Sequence, residues 1–150
     1  MVKAERIYFG HPINTYNSEL EQSLIIAIER YFSAQEHQIE NPNQACHQEG
    51  YQRYREQQGN GMQYFTCEVL PQMNVGVFLA FEDGALGSGV WKEAIFLQQQ
   101  GSTIYEIDRE GNIAELDLDE SRKLSVEETR LQVRNKCSRE NKIDKRLHIL

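Results

Sequence analysis

Cysteine is scarce in this chain and poorly spaced for chemistry. The three present, Cys46, Cys67 and Cys137, are an odd number without a C-x-x-C pair, which points to neither a disulfide framework nor a zinc site and makes reduced, packed thiols the expectation. Long apolar runs are missing as well: the longest, Leu24 to Ile28, falls far short of the ~20 residues a membrane span needs. The N-terminus starts a strand-like pattern without a signal-peptide core, so a cytoplasmic protein with no membrane partner is expected. Positive charge is outnumbered, 16 Lys and Arg against 23 Asp and Glu for a net charge of −7, which argues against nucleic acid as a partner. The local exception is a basic C-terminal stretch, Arg130, Arg134, Lys136, Arg139, Lys142, Lys145 and Arg146, whose ordinary reading is a solvated helix face or a subunit contact.

What is there suits one globular domain over residues 1–150, since 39% of the chain is hydrophobic and a chain of this length buries roughly two thirds of its unfolded surface. Arg6 to Gly10 is a short β-prone run, and His11-Pro12 forbids an immediate helix. Ser18-x-x-Glu21 is a capping box ahead of Leu20, Leu24, Ile28, Tyr31 and Phe32, which predicts an amphipathic helix from about 17 to 32. Ile39, before Asn41-Pro42, allows a brief second strand, whereas 43–58 is polar, aromatic and poorly periodic. A helix over 61–73, ended or kinked by Pro71, is expected next. Val75 to Phe81 is apolar without alternation, as a strand covered on both faces would be. A Gly-rich turn over 82–89 leads into a helix over 90–100 closed by Gly101. Thr103 to Ile107 and Ile113 to Leu118 then frame a hairpin, and Ser125-x-x-Glu128 caps a last helix toward Asn141. This alternation is that of an α/β domain with a largely parallel sheet. Its ligands are expected outside the carboxyl ends of the strands, at the 10–15 and 82–89 loops.

Few residues there can do chemistry. Gly84, Gly87 and Gly89 place backbone N–H groups at a helix N-terminus, where an anion or a sugar can approach, although on sequence alone a flexible turn is the favoured reading. Glu93 lies one turn into the following helix on a mostly apolar segment; such a carboxylate can attack an anomeric carbon or stabilise positive charge on a sugar. Its ordinary role is to face the helix dipole. Tyr8 and His11 flank the end of the first strand and can bind a hydroxyl, a phosphate or a base. Asp83 ends the central strand where a sugar-binding acid is useful, and Asn41 and Tyr64 are weaker candidates that turn and packing chemistry also explain. No Ser/His/Asp arrangement or metal cluster follows from spacing.

Three stretches together resemble the nucleoside 2-deoxyribosyltransferase-like superfamily of small α/β proteins. Ile7-Tyr8-Phe9-Gly10-His11-Pro12-Ile13 is similar to that family's first strand and YxAGP loop, Asn41-Pro42 to the N-P after its second strand, and Asn74 to Gly101 to its apolar strand, Gly-rich loop and glutamate-bearing helix. The resemblance covers about 6–107 and leaves 108–150 as a C-terminal hairpin and helix extension. It implies a Rossmann-like three-layer sandwich with about five mostly parallel strands. It also implies that Glu93, in Gly89-Val-Trp-Lys-Glu93, is the nucleophile and that Tyr8 positions it, with Gly10, His11, Asn14, Asn41, Tyr64, Asp83, Gly87, Ser88 and Gly89 around the substrate.

Two family aspartates are out of register here, one where Tyr64 stands and one near Gly87 or Ser88; Asp83 and the Ser88 hydroxyl are the available substitutes. The expected activity is N-glycosidic cleavage or transfer on a nucleoside or nucleotide, without metal or organic cofactor. The alternatives are a non-catalytic nucleotide-binding module that has lost its acids, and an assembly protein whose hairpin and basic tail are the contact surface. The resemblance further implies a homodimer or higher homo-oligomer, with Tyr16 or the last helix as contacts.

Overall fold

The structure, a computed structural model, describes residues 5–134. The expected course of the last helix beyond 134, Cys137 and the basic residues from Lys136 to Arg146 lie outside them. A five-stranded sheet of order β2-β1-β3-β4-β5 is built from β1 (Ile7–Gly10), β2 (Ile39–Glu40), β3 (Val75–Phe78), β4 (Thr103–Ile107) and β5 (Ile113–Glu115). The first four run parallel, and β5 returns antiparallel to β4. This is the mostly parallel α/β architecture that the alternation of elements predicts.

Side-chain alternation splits the interior in two. Ile7 and Phe9 of β1 and Val75 and Val77 of β3 point to one face and pack on Leu24 and Ile28 of α1 (Glu19–Phe32). Tyr8 and Phe78 point to the other, against Ala94 and Leu97 of α4 (Ser88–Gln100) and the segment over 62–72. The Ser18 hydroxyl accepts from the Glu21 N–H and caps α1, a contact worth about 1 kcal/mol. The charged end of Glu21 turns elsewhere.

Three elements depart from the expectation. The polar 43–58 segment contains a 14-residue helix, α2 (Ala45–Gln58), nine of whose residues are the helix formers Gln, Glu, Arg and Ala and none of whose residues is β-branched. It buries only His47 and Gly50, while Tyr51 and Tyr54 pack against the core beside it. Gly50 is there for contact, because a Cβ at that position would overlap the Tyr64 ring.

The 61–73 segment is not one α-helix. α3 (Met62–Tyr64) widens into a π-turn (Phe65–Val69) and tightens into a 3-10 turn (Leu70–Gln72) that holds Pro71. The buried pairs Tyr64–Phe65 and Val69–Leu70 are five residues apart, the hydrogen-bond spacing of a π-turn, and the widened turn keeps all four in the interior. The third departure is length: β3 stops pairing at Phe78, with Leu79, Ala80 and Phe81 buried beyond it, and β5 stops at Glu115.

The chain after β5 folds back on the Gly-rich loop. Leu86 exchanges backbone hydrogen bonds with Arg122 and Leu124, and the Arg122 guanidinium grips both oxygens of Glu106 at 3.0 and 2.7 Å and the Gly84 carbonyl at 2.9 Å. Helix α5, over 126–134, starts with the expected capping box, in which Ser125 Oγ accepts from the Glu128 N–H and Glu128 Oε1 from the Ser125 N–H. Among the described residues no helix is long and apolar enough to cross a membrane.

Candidate active site

The strand order reverses between β1 and β3, because the chain leaves β1 for β2 on one side and passes through β3 to β4 on the other. Loops that leave the carboxyl ends of these two strands part there and open a crevice. A cavity of about 300 Å³ occupies it, at the lower end of small-molecule sites.

Glu93 sits in its wall. In α4 the buried positions are Val90, Trp91, Glu93, Ala94 and Leu97, so the glutamate is the one charged member of the stripe that faces the sheet. Tyr8, on the face of β1 opposite α1, donates its hydroxyl to Glu93 Oε2 at 2.6 Å across 85 residues of chain. Burial pushes the Glu93 carboxyl from 4.5 up to about 7, with the Tyr8 hydrogen bond pulling in the opposite direction. Burial first, then the Glu93 charge, pushes Tyr8 well above its ordinary value, so the tyrosine stays a donor. Glu93 Oε1 accepts no hydrogen bond among the described residues, and a Cβ at Gly10 would lie 3.1 Å from it. Gly10 keeps the end of β1 open beside that oxygen. Together these features make a buried carboxylate with a pKa raised to about 7, one oxygen of which is held by Tyr8.

His11 lines the cavity beside this pair. Its Nδ1 faces the Phe9 carbonyl at 2.9 Å and its Nε2 faces Glu21 Oε2 at 2.7 Å. Both ring nitrogens of His11 thus lie within hydrogen-bond distance of an oxygen. Burial raises the Glu21 carboxyl, but His11 and the Asn17 N–H outweigh it and hold the group below its ordinary range. Neither ring nitrogen of His11 is free for a ligand.

Of the other predicted residues, Gly87 and Gly89 line the cavity, and Gly10 abuts its carboxylate. Five do not line it. Asn14 has a buried Oδ1 without a partner. Asn41 closes an Asx turn on the Asn43 N–H at 2.9 Å. Tyr64 hydrogen-bonds His47 Nδ1 at 2.7 Å, and His47 Nε2 reaches Glu40 at 2.7 Å, so this phenol is drawn into a separate polar chain. Asp83 accepts from the Ala85 N–H and from Gln132 Nε2, turned to the outside of the loop. Ser88 donates its backbone N–H to Thr129 Oγ1 at 2.8 Å, so a hydroxyl of α5 already occupies the helix N-terminus that the sequence offers to an anion.

Much of the wall is aromatic and was not singled out from the sequence as part of a ligand site. Tyr16, Tyr51, Phe65 and Phe81 join Tyr8, and Thr129 and Val133 of α5 close one side. Tyr51 and Phe65 stand 6.4 Å apart with rings inclined at 47°, and Tyr8 meets Phe65 at 6.2 Å and 64°. An aromatic residue in an amphipathic pattern reads as core; only the packed structure reveals a void on its far side. Among the described residues no group of three His, Cys, Asp or Glu side chains is placed to hold a metal. No protein-family model matches the chain, and neither the curated proteins nor the solved structures compared with it yield a match.

Proposed function

We propose that this protein cleaves the N-glycosidic bond of a nucleoside or nucleotide, as a member of the nucleoside 2-deoxyribosyltransferase-like superfamily, with Glu93 as nucleophile and Tyr8 as the group that positions it. The observation that carries this reading is the 2.6 Å hydrogen bond from Tyr8 to a buried glutamate in the wall of a cavity at the sheet's switch point. In the reaction Glu93 Oε1 bonds to the anomeric carbon while the carbon–nitrogen bond breaks and its electron pair leaves with the base. Water or a second base then displaces Glu93 from the same carbon, giving hydrolysis or transfer with net retention. Tyr8 orients Oε2 and stabilises the ionised form.

A second reading is a nucleotide-binding module without turnover. It is favoured by the position of Asp83, outside the cavity, and by Tyr64 where the family carries an acid. Among the described residues no carboxylate besides Glu93 lines the cavity to hold a sugar hydroxyl. Release of free base from a panel of nucleosides and 5′-nucleotides, followed by chromatography, separates the two. The parent is expected to release base, and Glu93→Gln to release it at least about 1,000-fold more slowly with its fold unchanged by circular dichroism. Equal rates from the two proteins would remove Glu93 from the chemistry.

A further inference from the structure

We infer that the cavity selects a cationic N-glycoside, whose base is a quaternised aromatic ring such as a pyridinium or a ring-alkylated purine, over neutral nucleosides. Its turnover rests on the N-glycosidase reading; its charge preference stands on the cavity alone. Among the described residues no Lys or Arg lines the space. Glu93 is the one carboxylate among the described lining residues, and Glu21 engages the His11 beside it. Around it stand Tyr8, Tyr16, Tyr51, Phe65 and Phe81. Aromatic rings around a single carboxylate are the chemistry that recognises an organic cation, because π-faces and an anion attract the same charge.

The chemistry of departure points the same way. A neutral purine or pyrimidine leaves readily only when a proton reaches it, and among the described lining residues the Tyr8 hydroxyl is already given to Glu93. Both nitrogens of His11 are committed. Tyr16, raised by burial and then by Glu93 and Glu21, is a weaker acid than an ordinary phenol, and Glu93 is used as nucleophile. A pyridinium needs no proton: as Glu93 Oε1 bonds to the anomeric carbon, the carbon–nitrogen pair returns to the ring nitrogen and a neutral pyridine departs. Water then hydrolyses the glycosyl ester, restoring the Glu93 carboxylate and releasing one proton. Overall, a pyridinium glycoside and water give the free sugar, the pyridine and H⁺.

Two measurements on the full chain test this. In calorimetry at pH 8, 1-methylnicotinamide is expected to bind at least tenfold more tightly than uncharged nicotinamide. Glu93→Gln should remove the preference, and Tyr51→Leu, at a half-buried wall position, should weaken the cation several-fold and the neutral amide little. In turnover, nicotinamide riboside is expected to give at least 100-fold higher kcat/KM than adenosine, inosine or thymidine. Equal binding of the two amides overturns the charge preference, and neutral nucleosides cleaved as fast as nicotinamide riboside overturn the substrate class while the N-glycosidase reading survives. Selective binding of 1-methylnicotinamide without base from any glycoside does the reverse: the cation site stands and the N-glycosidase reading falls.

Discussion

A glutamate buried without a cation beside it is held by whatever donors reach it, and among the described residues Glu93 has one, the Tyr8 hydroxyl. That bond is given only to an ionised or accepting oxygen, so it lowers the carboxyl's pKa against the larger upward push of burial. Removing the hydroxyl while keeping the ring therefore has two effects that a merely structural residue would not produce together. In Tyr8→Phe the rate of base release should drop about 10- to 100-fold, the value of a hydrogen bond to a charged group. The acid limb of the pH–rate profile, near pH 7 in the parent because the nucleophile must be ionised, should move up by about one unit. A fall in rate with an unmoved limb would mean that Tyr8 holds the cavity's shape and does not tune the carboxyl. The same local logic explains why other polar candidates stand outside the cavity. Asp83 and Asn41 each sit two residues before an N–H that their side chains can reach, and an Asx turn satisfies them at once. Glu93, in mid-helix, has no such local outlet.

At the level of elements, legibility follows how local the cause is. Helix α1, the β4–β5 hairpin and the start of α5 are written in caps and turn residues within a few positions of each other, and their sequences announce them. Helix α2 is not legible from periodicity because it buries only His47 and Gly50 and carries no aliphatic stripe. Gly50 lets α2 approach Tyr64, and the phenol then reaches His47 from the same helix. Gly50→Ala removes that approach. Helix propensity alone would make alanine better by about 1 kcal/mol, whereas overpacking against a buried aromatic costs about 1–3 kcal/mol. The variant is expected to be net destabilised in urea unfolding, and a stabilised variant would show that α2 does not rest on Tyr64. The π-turn between Tyr64 and Val69 was legible in part: the apolar pairs recur at a spacing of five, but a helical template of 3.6 absorbs them until the sheet is there to receive both. The cavity's aromatic wall is the least legible feature, since Tyr16, Tyr51, Phe65 and Phe81 come from four separate stretches of chain and meet only where β1 and β3 diverge.

For the molecule as a whole, the carboxyls pull stability in opposite directions along the pH axis. Glu21 and Glu40 are held below their ordinary value. Burial opposes this at Glu21 but is outweighed by the His11 and Asn17 contacts, while at Glu40 the His47 hydrogen bond leads and the Arg6 guanidinium adds to it. Each stabilises the fold above the unfolded pKa, and that contribution is lost as pH falls through the folded one. Glu93 is the reverse. Its folded pKa, about 7, lies above the unfolded 4.5, so the native state holds a proton that the unfolded chain releases. Its contribution is complete below 4.5 and declines as pH rises to about 7, an effect on the order of 3 kcal/mol for a fully buried group. Stability is therefore expected to fall from pH 5 to pH 8 by more in the parent than in Glu93→Gln, which has nothing to ionise at that position. Urea midpoints of both proteins at the two pH values give the difference directly, and histidine titrations common to both cancel in it. If the two proteins lose stability in parallel, Glu93 ionises without penalty. The nucleophile would then be an ordinary carboxylate, and the rate limb expected near pH 7 would lie below pH 5. If they diverge, the strain of holding an ionised carboxylate in an aromatic cavity is measured in the same units as the chemistry it serves, and a cationic ligand that binds there should return it to the fold.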